Sequence, residues 1–186
     1  MLEKLLLFIL SIYGLAFASI IEVNGSKTEL TITQINQSIL NFSLITGDIV
    51  VSKEINNGEE YSRLTLPNFH LSKEIGAPEL PEIHKLIEIP QNASPRIEII
   101  RNNYIDYSLE ELGITNKIFP AQPSLSKSKR PGDISFQIRD DIYLQNIYLQ
   151  KDLVSVNIEG QLRAIRIANL NIRPVYYNPV AGMLRI

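Results

Sequence analysis

From Ile20 onward, apolar residues alternate with polar ones over short runs, and no stretch sustains a helical period. Leu30, Ile32 and Ile35, then Ile39, Phe42 and Leu44, sit among Thr, Asn, Gln and Ser, a pattern of strands rather than helices. Thr46-Gly47-Asp48 reads as a turn into Ile49-Val50-Val51. Asn56-Asn57-Gly58 predicts a hairpin, because type I′ turns need positive φ and Asn-Gly supplies it. Arg63-Leu64-Thr65-Leu66 is the return strand, running up to Pro67.

The centre of the chain is Gly76-Ala77-Pro78-Glu79-Leu80-Pro81. Pro78 and Pro81 fix φ and donate no N–H, and they push Ala77 and Leu80 toward extended geometry. Gly76 can take the positive φ of a tight entry turn. A strand of about eight residues follows through Ile83, Leu86, Ile87 and Ile89, ended by Pro90 to Pro95. Ile97, Ile99 and Ile100 predict another strand, passing Tyr104 and Tyr107. Ser108 to Gly113 is the one place where a short helical turn fits, with Ser as N-cap and Gly as stop, and it reads equally as a loop. Ile118-Phe119-Pro120 resumes extended structure.

Ala121 to Asp133 then carries prolines, serines, Gly132 and the basic residues Lys127, Lys129 and Arg130, the pattern of a long functional or disordered loop. Beyond it Ile134, Phe136 and Ile138 alternate, as do Val154, Val156 and Ile158, with a turn at Glu159-Gly160-Gln161. The apolar set changes face between Ile165/Ile167 and Leu170/Ile172, which predicts a bulge near Ala168-Asn169. Asn178-Pro179 and Gly182 mark a turn before Leu184-Arg185-Ile186, where the chain stops inside a strand, so an unpaired edge and a missing last strand are expected there. About ten to twelve short strands at this spacing predict an all-β, antiparallel β-sandwich, jelly-roll-like, with at most one short helix.

Composition narrows the picture. The 186 residues suit one domain, and 45% apolar against 20% charged residues is ordinary for a globular chain. A net charge of −2 argues against a nucleic-acid partner. With no cysteine, disulfides, thiolate metal sites and a cysteine nucleophile are excluded from this chain. Met1 to Ala18 has a Lys, an apolar run from Leu5 to Phe17 and small residues at Ala16 and Ala18, which predicts a cleavable signal peptide over 1–18 and an exported domain over 19–186. The run is short of the ~20 apolar residues of a membrane span, so a secreted, periplasmic or cell-surface location is expected.

Candidate chemistry is sparse. His70 and His84 fit no helical metal motif and are read as surface or edge-strand residues. Asp140-Asp141 reads as a solvated turn rather than a cation site. Neither a dinucleotide fingerprint nor a P-loop occurs, and no cofactor or metal is expected. Lys127, Lys129 and Arg130 have two readings: solvated charges that keep a loop soluble, or long cations that an acidic peptidase specificity pocket would accept.

Gly76-Ala77-Pro78-Glu79-Leu80-Pro81, Ile87-Glu88-Ile89-Pro90, Ile118-Phe119-Pro120-Ala121-Gln122-Pro123, Arg173-Pro174-Val175-Tyr176-Tyr177-Asn178-Pro179 and Leu184-Arg185-Ile186, in that order, resemble the N-terminal propeptide of gingipain-type cysteine peptidases. The resemblance runs from about Ser62 to Ile186, while residues 19–60 fit only in being β-rich. It implies a non-catalytic prodomain that caps a caspase-like peptidase domain, keeps it latent during export and assists its folding. It also implies that a basic loop residue enters the specificity pocket, with Lys127 at the matching position and Gly76, Pro78, Pro81, Asn178 and Pro179 as structural turns. Lys127 precedes Ser128 and so forms a cleavable bond, whereas Arg130 precedes Pro131. The catalytic domain is absent from these residues, which leaves a fragment, a truncated reading frame or a prodomain acting in trans. A secreted structural or adhesive β-sandwich with no peptidase partner is the alternative.

Overall fold

A computed structural model describes residues 18–23, 25, 27–124, 127, 134–149 and 152–186. The strands are β1 (Ser19–Ile21), β2 (Glu29–Asn36), β3 (Ile39–Ile45), β4 (Ile49–Asn56), β5 (Glu59–Thr65), β6 (His70–Leu71), β7 (Pro81–Ile89), β8 (Asp106–Ser108), β9 (Val154–Leu162), β10 (Ile165–Ile172), β11 (Tyr176–Asn178) and β12 (Met183–Arg185), with one helical turn α1 (Asp140–Tyr143). All ladders between them are antiparallel, in four sheets of order β1-β4-β5, β6-β7-β10-β9, β11-β12-β8 and β2-β3.

Two cores hold the sheets face to face. Ile21, Ile49, Val51 and Leu64 of β1-β4-β5 pack with Tyr177 and Leu184 of β11-β12-β8 and with Ile118, Val175 and Tyr143 between them. Ile83, Leu170 and Ile172 form a second cluster, covered by Leu30, Phe42 and Leu44 of the β2-β3 ribbon and by Val154 and Val156 of β9. In β4 and β10 the buried apolar side chains alternate as the sequence pattern marks them, Ile49 and Val51 in one and Ala168, Leu170 and Ile172 in the other, whereas Ile32, Ile35, Ile39 and Ile158 of the same pattern are exposed.

The hairpin expectation is met. The β4-β5 hairpin closes on Asn57 (φ 51°) and Gly58 (φ 83°), with Asn56 opposite Glu59. The bulge expected near Ala168-Asn169 falls instead on the partner strand: opposite Ile167 and Ala168, β9 carries the extra residue, Glu159, while β10 stays in unbroken register with β7.

Others are corrected. Residues 97–100 form no strand; Ile97, Ile99 and Ile100 are exposed, and the preceding turn is held instead by Arg166 Nη1, which donates to the carbonyls of Gln91 (2.8 Å) and Ala93 (2.7 Å). Ser108 to Gly113, open between a short helical turn and a loop, is a turn: Leu112 N donates to Ser108 O and Gly113 (φ 71°) ends it before a second turn can form. The helical turn lies at Asp140–Tyr143 instead. Glu159-Gly160-Gln161 stays inside β9, with Gly160 (φ 139°) at the bulge; the reversal falls one step later, with Leu162 opposite Ile165 and Arg163 at φ 57°. Ile134, Phe136 and Ile138 keep alternating burial but join no ladder.

The chain's last strand has neighbours on both sides, β11 and β8, so the expected unpaired edge beside Leu184 is not found. Arg185 reinforces this strand: its guanidinium donates twice to Asp106 (2.7 and 2.8 Å) and lies between the rings of Tyr104 and Tyr148. Those hydrogen bonds hold the Asp106 carboxyl below the usual range. The apolar N-terminal run lies outside the described residues; among those described, no helix is long and apolar enough to cross a membrane.

Candidate functional site

The turn at Gly76 and the basic segment meet at one place. Residues 76–79 run antiparallel to 119–121, with Glu79 N donating to Phe119 O (2.9 Å), Ala121 N to Ala77 O (2.8 Å) and Gly76 N to Ala121 O (2.8 Å). Pro78 and Pro120 face each other across this bridge at the positions where neither nitrogen has to donate, so two residues that lack an N–H cost the pairing nothing. On the other side, Arg139 N donates to Gly76 O (2.9 Å). Gly76 thus holds both ends of the segment that carries Lys127.

Its backbone explains why glycine stands there. Gly76 has φ 79°, and a Cβ would lie 2.9 Å from Arg139 Cγ and 3.1 Å from Arg139 N. The Arg139 guanidinium is fixed above it by Glu74 and Asp141, each at 2.9 Å. Asp140-Asp141 is accordingly the start of α1 with Asp141 paired to Arg139, a structural role.

One residue further out, the Gln122 side chain joins the two ends again. Nε2 donates to Gln137 O (2.7 Å) and Oε1 accepts from Gln137 N (3.0 Å), so a side-chain amide takes the place of a neighbouring strand. Beneath, Phe136 packs with Tyr61 and Phe119, ring centroids 5.4–5.8 Å apart. Burial pushes the Tyr61 phenol up to about 12, so this floor stays uncharged. Tyr143 of α1, also raised by burial, donates to Ile118 O at 2.6 Å and fixes the incoming strand.

Lys127 itself is exposed and sits in a turn; Lys129 and Arg130 lie outside the described residues. Asn178 is placed elsewhere: its side chain accepts from Ala181 N (3.1 Å) and donates to Asn146 (3.0 Å), closing the Pro179-to-Gly182 turn without touching the Gly76 region. His70 and His84 come together, ring centroids 5.7 Å apart, beside a shallow hollow of about 240 Å³ with Lys73 and Asn169. His84 pairs with Glu82 (2.8 Å), which also holds Arg173 (3.2 Å), and among the described residues no group of three His, Cys, Asp or Glu could hold a metal ion.

Glu79 is the poorly partnered member of the turn. It is half-buried, its Oε2 has no hydrogen-bond partner, and Arg63, stacked on Phe119, approaches only to 3.5 Å. Burial outweighs Arg63 and raises the carboxyl. A carboxyl raised in the folded state favours folding when protonated, and that advantage disappears as pH rises through the folded-state value. Glu79→Gln is therefore expected to match the parent in urea midpoint at pH 3 and exceed it at pH 7. A variant that is less stable than the parent at pH 7 would show that the Arg63 pair outweighs the burial.

The sequence pointed to Gly76, the two prolines and Lys127, but not to Gln122, Gln137 or Arg139. The available signal was Gln122 itself, an amide between Pro120 and Pro123 in a run short of backbone donors.

The family model Propeptide_C25 matches residues 27–186, taking in the β2-β3 ribbon that the motifs did not reach. Lys-gingipain of Porphyromonas gingivalis is 30% identical over 189 residues, covering 100% of this chain and 11% of that protein. Lys-gingipain HG66 of the same organism is 30% identical over 166 residues, 89% of this chain and 10% of the relative. The chain thus spans about a tenth of the length of these curated relatives. A solved structure of gingipain K from Porphyromonas gingivalis, described for its zymogenic latency, superposes with TM-score 0.84 at 29% identity, covering 91% of this chain and 93% of the other. The complex of the Porphyromonas gingivalis RgpB pro- and mature domains shares the fold at TM-score 0.71 and 18% identity, over 84% and 79% of the two chains.

Proposed function

Because the chain belongs to the Propeptide_C25 family, we propose that it is a non-catalytic prodomain that keeps a gingipain-like cysteine endopeptidase latent during export, assists its folding and fills the peptidase's specificity pocket with Lys127. The partner is a caspase-like peptidase domain, in cis within a longer precursor or in trans. The signal peptide read over 1–18 supplies the route out.

The observation that carries this reading is the exposed Lys127 on a segment whose two ends are both tied to Gly76. A cation on a tethered segment reaches an acidic pocket with much of its ordering entropy already spent. Arg130 fits the role less well, since the bond to Pro131 lacks the amide N–H and resists attack.

The test is titration of Lys-gingipain with the parent chain, Lys127→Ala and Arg130→Ala. Lys127→Ala is expected to weaken inhibition at least tenfold, about 1.4 kcal/mol, with Arg130→Ala near the parent. Equal inhibition by all three would leave a capping surface and no pocket-filling residue.

A further inference from the structure

The geometry points to Gln122 as a positioning residue: its side-chain amide clamps the base of the Lys127 segment and sets how tightly, and how resistantly to cleavage, Lys127 is presented to a peptidase. This rests on the reading of Lys127 given above.

The segment leaves the fold at Ala121 and returns at Arg139, and the backbone bonds to Gly76 stop at those two residues. Residues 134–139 join no ladder, so Gln137 has no strand neighbour to take its N–H and C=O. Gln122 supplies both partners, at 3.0 and 2.7 Å, across 15 residues of sequence. Its Nε2 also lies 3.0 Å from Pro120 O, a carbonyl of the proline-rich run, so the side chain is held from behind as well. A two-bond amide bridge of this kind is geometrically what a further rung of strand pairing would be. It moves the fixed base of the segment one step closer to Lys127.

Two consequences follow for a peptidase that takes Lys127 into its pocket. A cation whose chain is anchored nearer to it loses less freedom on binding, so the inhibitor is more preorganised. A segment held on both sides also resists the distortion that brings the Lys127–Ser128 carbonyl to the attacking geometry, so it is cut slowly. Gln122 lies outside both hydrophobic cores, and its removal takes away presentation rather than packing.

The experiment titrates Lys-gingipain with the full chain and with Gln122→Ala and Lys127→Ala, follows cleavage after Lys127, and records urea midpoints and amide exchange. Gln122→Ala is expected to raise the inhibition constant about tenfold and to speed cleavage after Lys127, at an unchanged urea midpoint. The Gln137 amide should exchange faster while the Gly76 and Arg139 amides stay protected. Inhibition and cleavage at parental levels would overturn the proposal, and so would a loss of inhibition that tracks a fall in the midpoint. The Lys127→Ala arm separates the two readings. If it inhibits like the parent, the pocket-filling reading fails and takes the clamp's role with it; if it is weakened while Gln122→Ala is not, only the clamp fails.

Discussion

Gly76→Val is expected to destabilise the protein by about 2–6 kcal/mol, enough to unfold a domain whose whole stability is on the order of 5–15 kcal/mol. Two separate effects add. A β-branched residue at φ 79° costs about 1–3 kcal/mol in backbone strain. The new side chain also drives its Cβ to 2.9 Å from Arg139 Cγ and 3.1 Å from the Arg139 backbone, and overpacking against a fixed neighbour costs about 1–3 kcal/mol. Arg139 cannot move away cheaply, because the crowded atoms are its Cγ and backbone N rather than the tip of the side chain, and that N–H is bonded to Gly76. Urea unfolding of the purified variant measures the loss. A cost below about 1 kcal/mol, less than the lower bound for the φ effect alone, would mean that the turn relaxes and that Gly76 is not the fixed point for residues 121 and 139.

Leu184→Ala comes second, at about 3 kcal/mol. Leu184 is fully buried in the larger core, on a strand with neighbours on both sides. Leucine-to-alanine truncations at such sites cost about 2–5 kcal/mol, the transfer loss plus the cavity left behind. An edge residue with room to collapse would fall well under that range. A urea-derived loss below about 1 kcal/mol would therefore return β12 to the exposed position that its place near the chain's end first implied.

What could be read from the residues was what is local. Asn57-Gly58 carries its own backbone preference, and the alternation around Leu30, Phe42, Val154 and Ile167 needs no partner to be recognised. Partner choice was not legible, because ladder pairing is non-local. Nothing in Ile97-Glu98-Ile99-Ile100 says that no neighbouring strand awaits it, and nothing in Leu184-Arg185-Ile186 says that Asp106–Ser108 will lie alongside. The same holds at the candidate site. Gly76 and the prolines declare themselves through φ, whereas Gln122 acts through a side chain reaching a backbone 15 residues on, which leaves no period to detect. Asp140–Tyr143 is a single helical turn, too short to show a helical period, and it is set by Tyr143 reaching Ile118.

The strand order gives the Lys127 segment one more property. Residues before it supply β7 and β8; residues after it supply β10, which lies between β7 and β9, and β12, which lies between β8 and β11. Each half of the chain thus places an inner strand in a sheet begun or completed by the other. A single cut after Lys127 changes the connectivity without touching either sheet, and leaves two chains that share both sheets and the larger core. Parting them means breaking the β7-β10 ladder in one sheet and the β8-β12 ladder in the other and opening the core that both chains line, so their separation is governed by an unfolding barrier rather than by the ease with which two docked surfaces slide apart.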